Sequence, residues 1–285
     1  MQTTNPILAR IGQEGTTAPG GAGFAYDEGR SAVAQATSGA AVSDTVTADQ
    51  LHQMVAGPQA GARVTLGDVI VKTGIAFVLV VIGAVFGWNT AESMPYIWIG
   101  AAVIGLVLGL VNAFKKSVSP ALVLVYSLVQ GVMLGGISYW YNTLAVANDY
   151  YGLVQQAVIG TFTAFGVMLL LYSTRIIRVN GTFVKVMIVA MVSYLVIGLA
   201  SLVAALFGVG GGWGFYGVSG WGLILCAFGV LLASFSLALD FEAIKQGIAM
   251  GLPERESWRM AFGLLVTLIW LYLEILRLLS ILSRN

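Results

Sequence analysis

After Arg63 the chain is built of apolar runs of about 20 residues separated by short polar interruptions. Each run is as long as a helix must be to cross ~30 Å of hydrocarbon at 1.5 Å per residue. Seven are read from the sequence: Val69 to Trp88, Pro95 to Phe114, Pro120 to Tyr141, Gly152 to Tyr172, Thr182 to Phe207, Trp221 to Leu239 and Met260 to Leu282. None has the ~10-residue apolar–polar alternation of a barrel strand. The pattern therefore predicts an all-α, polytopic membrane protein with seven transmembrane helices.

The segment Met1 to Ala62 is of a different kind, rich in Gly, Ala, Thr and Gln with scattered charges and no apolar period. This predicts a disordered arm. It has no basic start followed by an apolar stretch and a small-residue cleavage site, so it does not read as a signal peptide. Within it, Asn5-Pro6-Ile7-Leu8-Ala9-Arg10 is either a docking motif or part of an exposed tail.

Lys and Arg then orient the helices, because cytoplasmic loops retain them. Lys115 and Lys116 follow the second run; Arg175, Arg178 and Lys185 flank the turn after the fourth; Lys245, Arg255 and Arg259 lie between the sixth and seventh. The intervening loops, Asn89 to Met94, Asn142 to Tyr151 and Gly208 to Gly220, carry none. The expected amino terminus is cytoplasmic. Seven spans would put the carboxyl terminus outside, and Arg277 and Arg284 oppose this, with a re-entrant last helix as the alternative.

Composition removes other classes. With 58% hydrophobic and 9% charged residues the chain is not a soluble domain, for which about 25% charge is usual. Its 14 Lys and Arg against 13 Asp and Glu leave no basic field for nucleic acid. One Cys (Cys226) and one His (His52) exclude a disulfide and the usual zinc sites. The same scarcity argues against an enzyme: no His accompanies an intramembrane Ser, no second Asp faces Asp240, and the seventh run has no Lys for a retinal Schiff base. No cofactor is implied.

Glycines at four-residue spacing, Gly83 with Gly87, Gly105 with Gly109 and Gly131 with Gly135, read as helix-packing positions. The run Gly208 to Gly214 reads as a flexible turn. Aromatic residues such as Trp88, Trp98, Trp140, Trp213 and Tyr216 mark the outside ends of helices as an interfacial belt. Cys226 reads as a small buried hydrophobe, and Asn112, Gln130 and Thr267 as helix–helix hydrogen bonders. Two acids within the spans carry more chemistry, since a carboxylate at membrane depth costs about 2.5 to 3.5 kcal/mol unless paired, protonated or on an ion path. Asp240 ends the sixth run, either on an ion path or as a helix-end charge at the headgroups. Glu274 lies deep in the seventh, where a pair with Arg277 at i+3 is the alternative to a function.

Ser236-Leu237-Ala238-Leu239-Asp240-Phe241-Glu242-Ala243-Ile244 on one helix, with Trp270-Leu271-Tyr272-Leu273-Glu274-Ile275-Leu276 on the next, resembles the Bax inhibitor superfamily. Asn5-Pro6, the Lys115-Lys116-Ser117-Val118-Ser119-Pro120 turn with Tyr126 and Gly131, and Trp258-Arg259-Met260-Ala261-Phe262-Gly263-Leu264 resemble its bacterial branch with a long arm. Motifs cover Arg63 to Asn285. The resemblance implies seven helices with the last central, and a pH-sensitive Ca²⁺ leak governed by acids on helices six and seven. Asp240 matches the first acid. The local string selects Glu274 as the second, whereas an ungapped alignment from Met260 to Arg277 puts Thr267 there. Asp240 and Glu274 are the implied Ca²⁺ contacts, and Lys115 or Lys116 is the implied basic latch on Asp240. The expected function is a passive, pH-modulated cation leak in a bacterial cytoplasmic membrane, with Ca²⁺ as permeant ion. The alternative is a non-transporting protein that binds membrane proteases or other membrane proteins in the lipid bilayer.

The charge pattern fixes a test of orientation. A cysteine placed at Gly211 is expected to react with an impermeant thiol reagent from the outer face of intact cells. Labelling from the cytoplasmic face alone would reverse the topology.

Overall fold

A computed structural model of the chain describes residues 62–217 and 219–283. The arm readings at Asn5–Arg10, together with His52 and Arg284, lie outside the described residues. Seven helices long and apolar enough to cross a membrane follow in order: α1 Leu66–Thr90, α2 Ile97–Phe114, α3 Pro120–Val146, α4 Leu153–Ser173, α5 Gly181–Leu206, α6 Ser219–Ala249 and α7 Ser257–Leu282. α7 runs unbroken and packs against α1, α3, α4 and α6. The last helix is thus central, and the re-entrant alternative is set aside.

Local chemistry sets several ends. Thr65 and Asp68 form a reciprocal capping box at α1, Asn180 Oδ1 accepts from the Phe183 amide at α5, and Pro120 opens α3. α6 departs most from its expected range, continuing ten residues past Leu239. Polar residues Glu242, Lys245 and Gln246 end the apolar run, but Leu237, Phe241 and Ile244 stay buried at helical spacing. Ile244 packs with Val64 and Val69. An amphipathic turn replaced an all-apolar one, and the helix went on.

The α1–α3 contact is the most extensive between any two helices, and glycine makes it. A Cβ on Gly83, Gly87, Gly131 or Gly135 would fall 2.0–2.3 Å from a carbonyl oxygen of the facing helix. Backbones therefore touch, as the four-residue spacing predicted. Three buried hydroxyls are satisfied within their own helices: Ser127 donates to Val123 O, Thr161 to Ala157 O and Ser236 to Leu232 O. Outward faces carry large exposed apolar side chains, among them Val189 at 67% and Leu195 at 61% on α5. Such a surface is stable against lipid and not against water.

Gly208 to Gly217 is more ordered than a flexible turn. Two 3₁₀ turns, Val209–Gly212 and Gly214–Gly217, fold onto α5, with positive φ at Gly210, Gly211, Gly212 and Gly214. A Cβ on Gly214 would meet Ser201 O at 2.1 Å. The turn carries Trp213 onto Trp140, with ring centroids 5.0 Å apart, and Trp98 stacks on Trp140 from α2. The aromatic belt is therefore also a packed cluster.

Substitutions test the glycine seam. Gly87→Ala and Gly135→Ala are expected to destabilise the folded protein by about 1 to 3 kcal/mol each, because the helices must separate. Gly74→Ala and Gly100→Ala, where a Cβ meets nothing within 4 Å, should leave stability equal or slightly higher. Thermal unfolding in detergent, followed by circular dichroism, reads the difference.

Candidate functional site

α6 and α7 lie antiparallel along an extensive seam that holds both intramembrane acids. Asp240 turns from α6 toward α7. Its Oδ1 lies 3.6 Å from the position a Cβ would take on Gly263, and the Thr267 hydroxyl stands beside the carboxylate. The 3.6 Å separation is ordinary van der Waals distance, so the acid lies against this face of α7 without strain. Thr267 Oγ1 donates to Gly263 O at 3.2 Å, within its own helix. Asp240 Oδ2 is buried and has no hydrogen-bond partner. Because α6 extends to Ala249, Asp240 is inside the helix and not at its end.

Glu274 is held differently. It is 3% exposed, and its Oε1 accepts from Trp270 Nε1 at 3.1 Å and lies 3.4 Å from Arg277 Nη1, while its Oε2 has no hydrogen-bond partner. The i+3 pair readable in the sequence is thus formed. Gly229 of α6 provides the notch: a Cβ there would fall 2.3 Å from the Tyr194 hydroxyl and 2.6 Å from Glu274 Oε2. Tyr216, set in place by the glycine turns, donates to the Tyr194 hydroxyl at 3.1 Å, and its ring lies under the Arg277 guanidinium at 4.5 Å. Arg277 is therefore drawn into the bundle, which explains why a cation stands at the end of the chain where the loop-charge rule gave none.

The seam keeps the acids apart. Asp240 and Gly229 are separated by about 16 Å of helix, so Asp240 meets Thr267 while Glu274 belongs to the tyrosine cluster. Thr267 occupies the position opposite Asp240 that the ungapped alignment gave it. One ion cannot be shared by Asp240 and Glu274, and among the described residues no three His, Cys, Asp or Glu side chains converge.

Lys115 and Lys116 are exposed, and among the described residues neither forms an ion pair with Asp240. Their main chain is what is held: Arg259 Nη2 donates to Lys116 O at 2.8 Å and to Lys115 O at 3.4 Å, tying the α2–α3 turn to the start of α7. A second tie was not foreseen. Lys72 Nζ reaches Glu254 Oε1 at 2.9 Å and Ser257 Oγ at 2.6 Å, below the Trp258 ring. Beside it, the Val64 amide donates to Leu252 O and the Glu254 amide to Ala62 O. Of the expected hydrogen bonders, Gln130 donates to Tyr126 on its own helix and abuts Gly105 of α2, and Asn112 Nδ2 is buried without a partner.

Seven apolar helices with the last one central, a half-buried acid on the sixth and a buried one on the seventh define a multi-pass membrane protein. The family model described as Bax inhibitor 1 like matches residues 22–284, and the chain belongs to that family. The match begins well before Arg63, where the recognisable motifs start. No curated protein matches the chain.

The Glu274 cluster yields a stability test. Arg277→Met strands a buried carboxylate and is expected to cost about 3 kcal/mol or more. The double variant Glu274→Gln/Arg277→Met should cost clearly less than the sum of the two single changes. A double-mutant cycle on thermal unfolding measures the coupling, and additive losses would show that the pair does not act as one.

Proposed function

We propose that the protein is a passive, pH-modulated leak for cations, Ca²⁺ among them, in a bacterial cytoplasmic membrane, with its amino terminus in the cytoplasm. The observation that carries this reading is the buried, unpartnered Oδ2 of Asp240 on the α6–α7 seam. A carboxylate oxygen in that setting demands a proton, water or a cation. Charged, it draws water or a hard cation into the seam, and oxygen is the ligand Ca²⁺ prefers. Protonated, it becomes a donor, and Thr267 Oγ1, whose own hydrogen goes to Gly263 O, is placed to accept. The demand then ends and the seam closes. Leak accordingly falls as pH falls.

The test is Ca²⁺ entry into proteoliposomes between pH 6 and pH 8. Asp240→Asn, neutral and nearly isosteric, is expected to show the low acid-side flux at every pH. Glu274→Gln should keep the parental pH response, because that acid is engaged by Trp270 and Arg277. Unchanged flux and pH response in Asp240→Asn would sink the seam mechanism. Raised flux at neutral pH would favour a latch from Lys115 or Lys116 over it. No flux in parent or variants would move the reading to a non-transporting protein that acts on membrane proteases or other membrane partners.

A further inference from the structure

We propose that the groove between α1 and α4, floored by α3 and α7, binds a single phospholipid acyl chain from the leaflet on the Trp88 side. The groove has a volume of about 520 Å³ and is lined almost wholly by apolar side chains. α1 and α4 do not pack along their length. The rings of Phe77 and Phe162, 5.6 Å apart edge to face, close the cleft at its deep end. Its rim residues Val81 and Val85 are 45% and 56% exposed, so the mouth opens sideways where lipid lies.

Three properties select the occupant. The first is polarity: Ser138 Oγ and Tyr272 OH bond each other at 2.7 Å, Thr161 donates to Ala157 O, and Asn89 Nδ2 donates to Val85 O. With those groups engaged, the wall offers water little, and an apolar cavity of this kind stays dry. The second is length. From Phe77 to Trp88 the groove follows about 16 Å of helix, close to the ~15 Å that one leaflet contributes to a ~30 Å core. The third is depth. A helix from another chain would run through both leaflets, about 30 Å, roughly twice the length over which the cleft is open. A single hydrocarbon chain meets all three. Left empty, the lining would forfeit its dispersion contacts on one side.

The site is independent of the Asp240 seam, although its floor residues Leu268, Ile269 and Tyr272 belong to the same central helix. The probe is a phosphatidylcholine with a diazirine in the middle of one acyl chain, reconstituted with the full chain in phosphatidylcholine vesicles, irradiated and mapped by peptide mass spectrometry. Adducts are expected on Leu268 and on Ile269, which is only 7% exposed and is out of reach of lipid merely surrounding the bundle. Two variants, Val158→Trp and Val85→Trp, each fill the cleft from its rim. Either should lower the floor adducts roughly tenfold, the effect of ~1.4 kcal/mol in affinity, and leave adducts on outward Val189 and Val192 of α5 unchanged. No floor adducts from a parent that is dimeric by native mass spectrometry would assign the groove to a second copy. None from a monomer would leave it empty, and floor adducts undiminished in both variants would place the chain elsewhere. Each of these results overturns the proposal.

Discussion

Everything in the bundle is referred to the contact of α1 with α3, where peptide backbones meet without side chains between them. At Gly83, Gly87, Gly131 and Gly135 there is no volume for even a methyl group. Helices so close cannot slide or rotate without a clash, and they form a stiff wall inside a fluid solvent. In lipid, where apolar burial does not drive helices together, this kind of contact has to come from packing and shape. α2 docks on α3, and α7 lays its apolar face against both members of the pair. α5, by contrast, packs against α6 and the glycine turns and reaches α7 through Tyr194, whose ring lies 6.0 Å from that of Trp270, and its outward face is left to lipid.

The same seam gives its two acids opposite treatment. Glu274 has the Trp270 indole and the Arg277 guanidinium at its Oε1, with Tyr194 of α5 and Tyr216 of the turn completing the cluster, while its Oε2 has no hydrogen-bond partner. It is a structural carboxylate whose charge is balanced where it stands. Asp240 has a glycine and a threonine opposite it, and the threonine's hydrogen is committed to the backbone. Setting a cation beside one acid and none beside the other concentrates responsiveness at one depth. The chain thereby divides the work of holding α6 to α7 from that of answering to protons or ions.

Much of the fold was legible because lipid-crossing helices need length and apolarity, and both are one-dimensional properties. The glycine spacing was equally readable, since four residues are one turn. The pair Glu274–Arg277 also lay within one turn. What escaped was anything that joins distant segments. Tyr216 looked like a membrane-interface residue and Tyr194 carried no reading, and only the folded turn at Gly208–Gly217 brings Tyr216 to Tyr194 and the acid. Lys115 and Lys116 suggested a side-chain latch, but the main chain of that turn is what Arg259 binds. The end of α6 was misplaced because hydropathy registers average apolarity, while the helix continued on a one-sided stripe.

Just ahead of α1, residues 62–64 are bonded to the turn between α6 and α7. Ala62 O accepts from Glu254, Val64 donates to Leu252, and Lys72 anchors Glu254 and Ser257 nearly two turns into α1. In mechanical terms the entry point is a hinge pin shared by the first and last spans. Tension arriving along the backbone at residue 62 is delivered to the root of α7 before it can be taken up by α1. A pull on the front of the molecule is therefore felt at its axle.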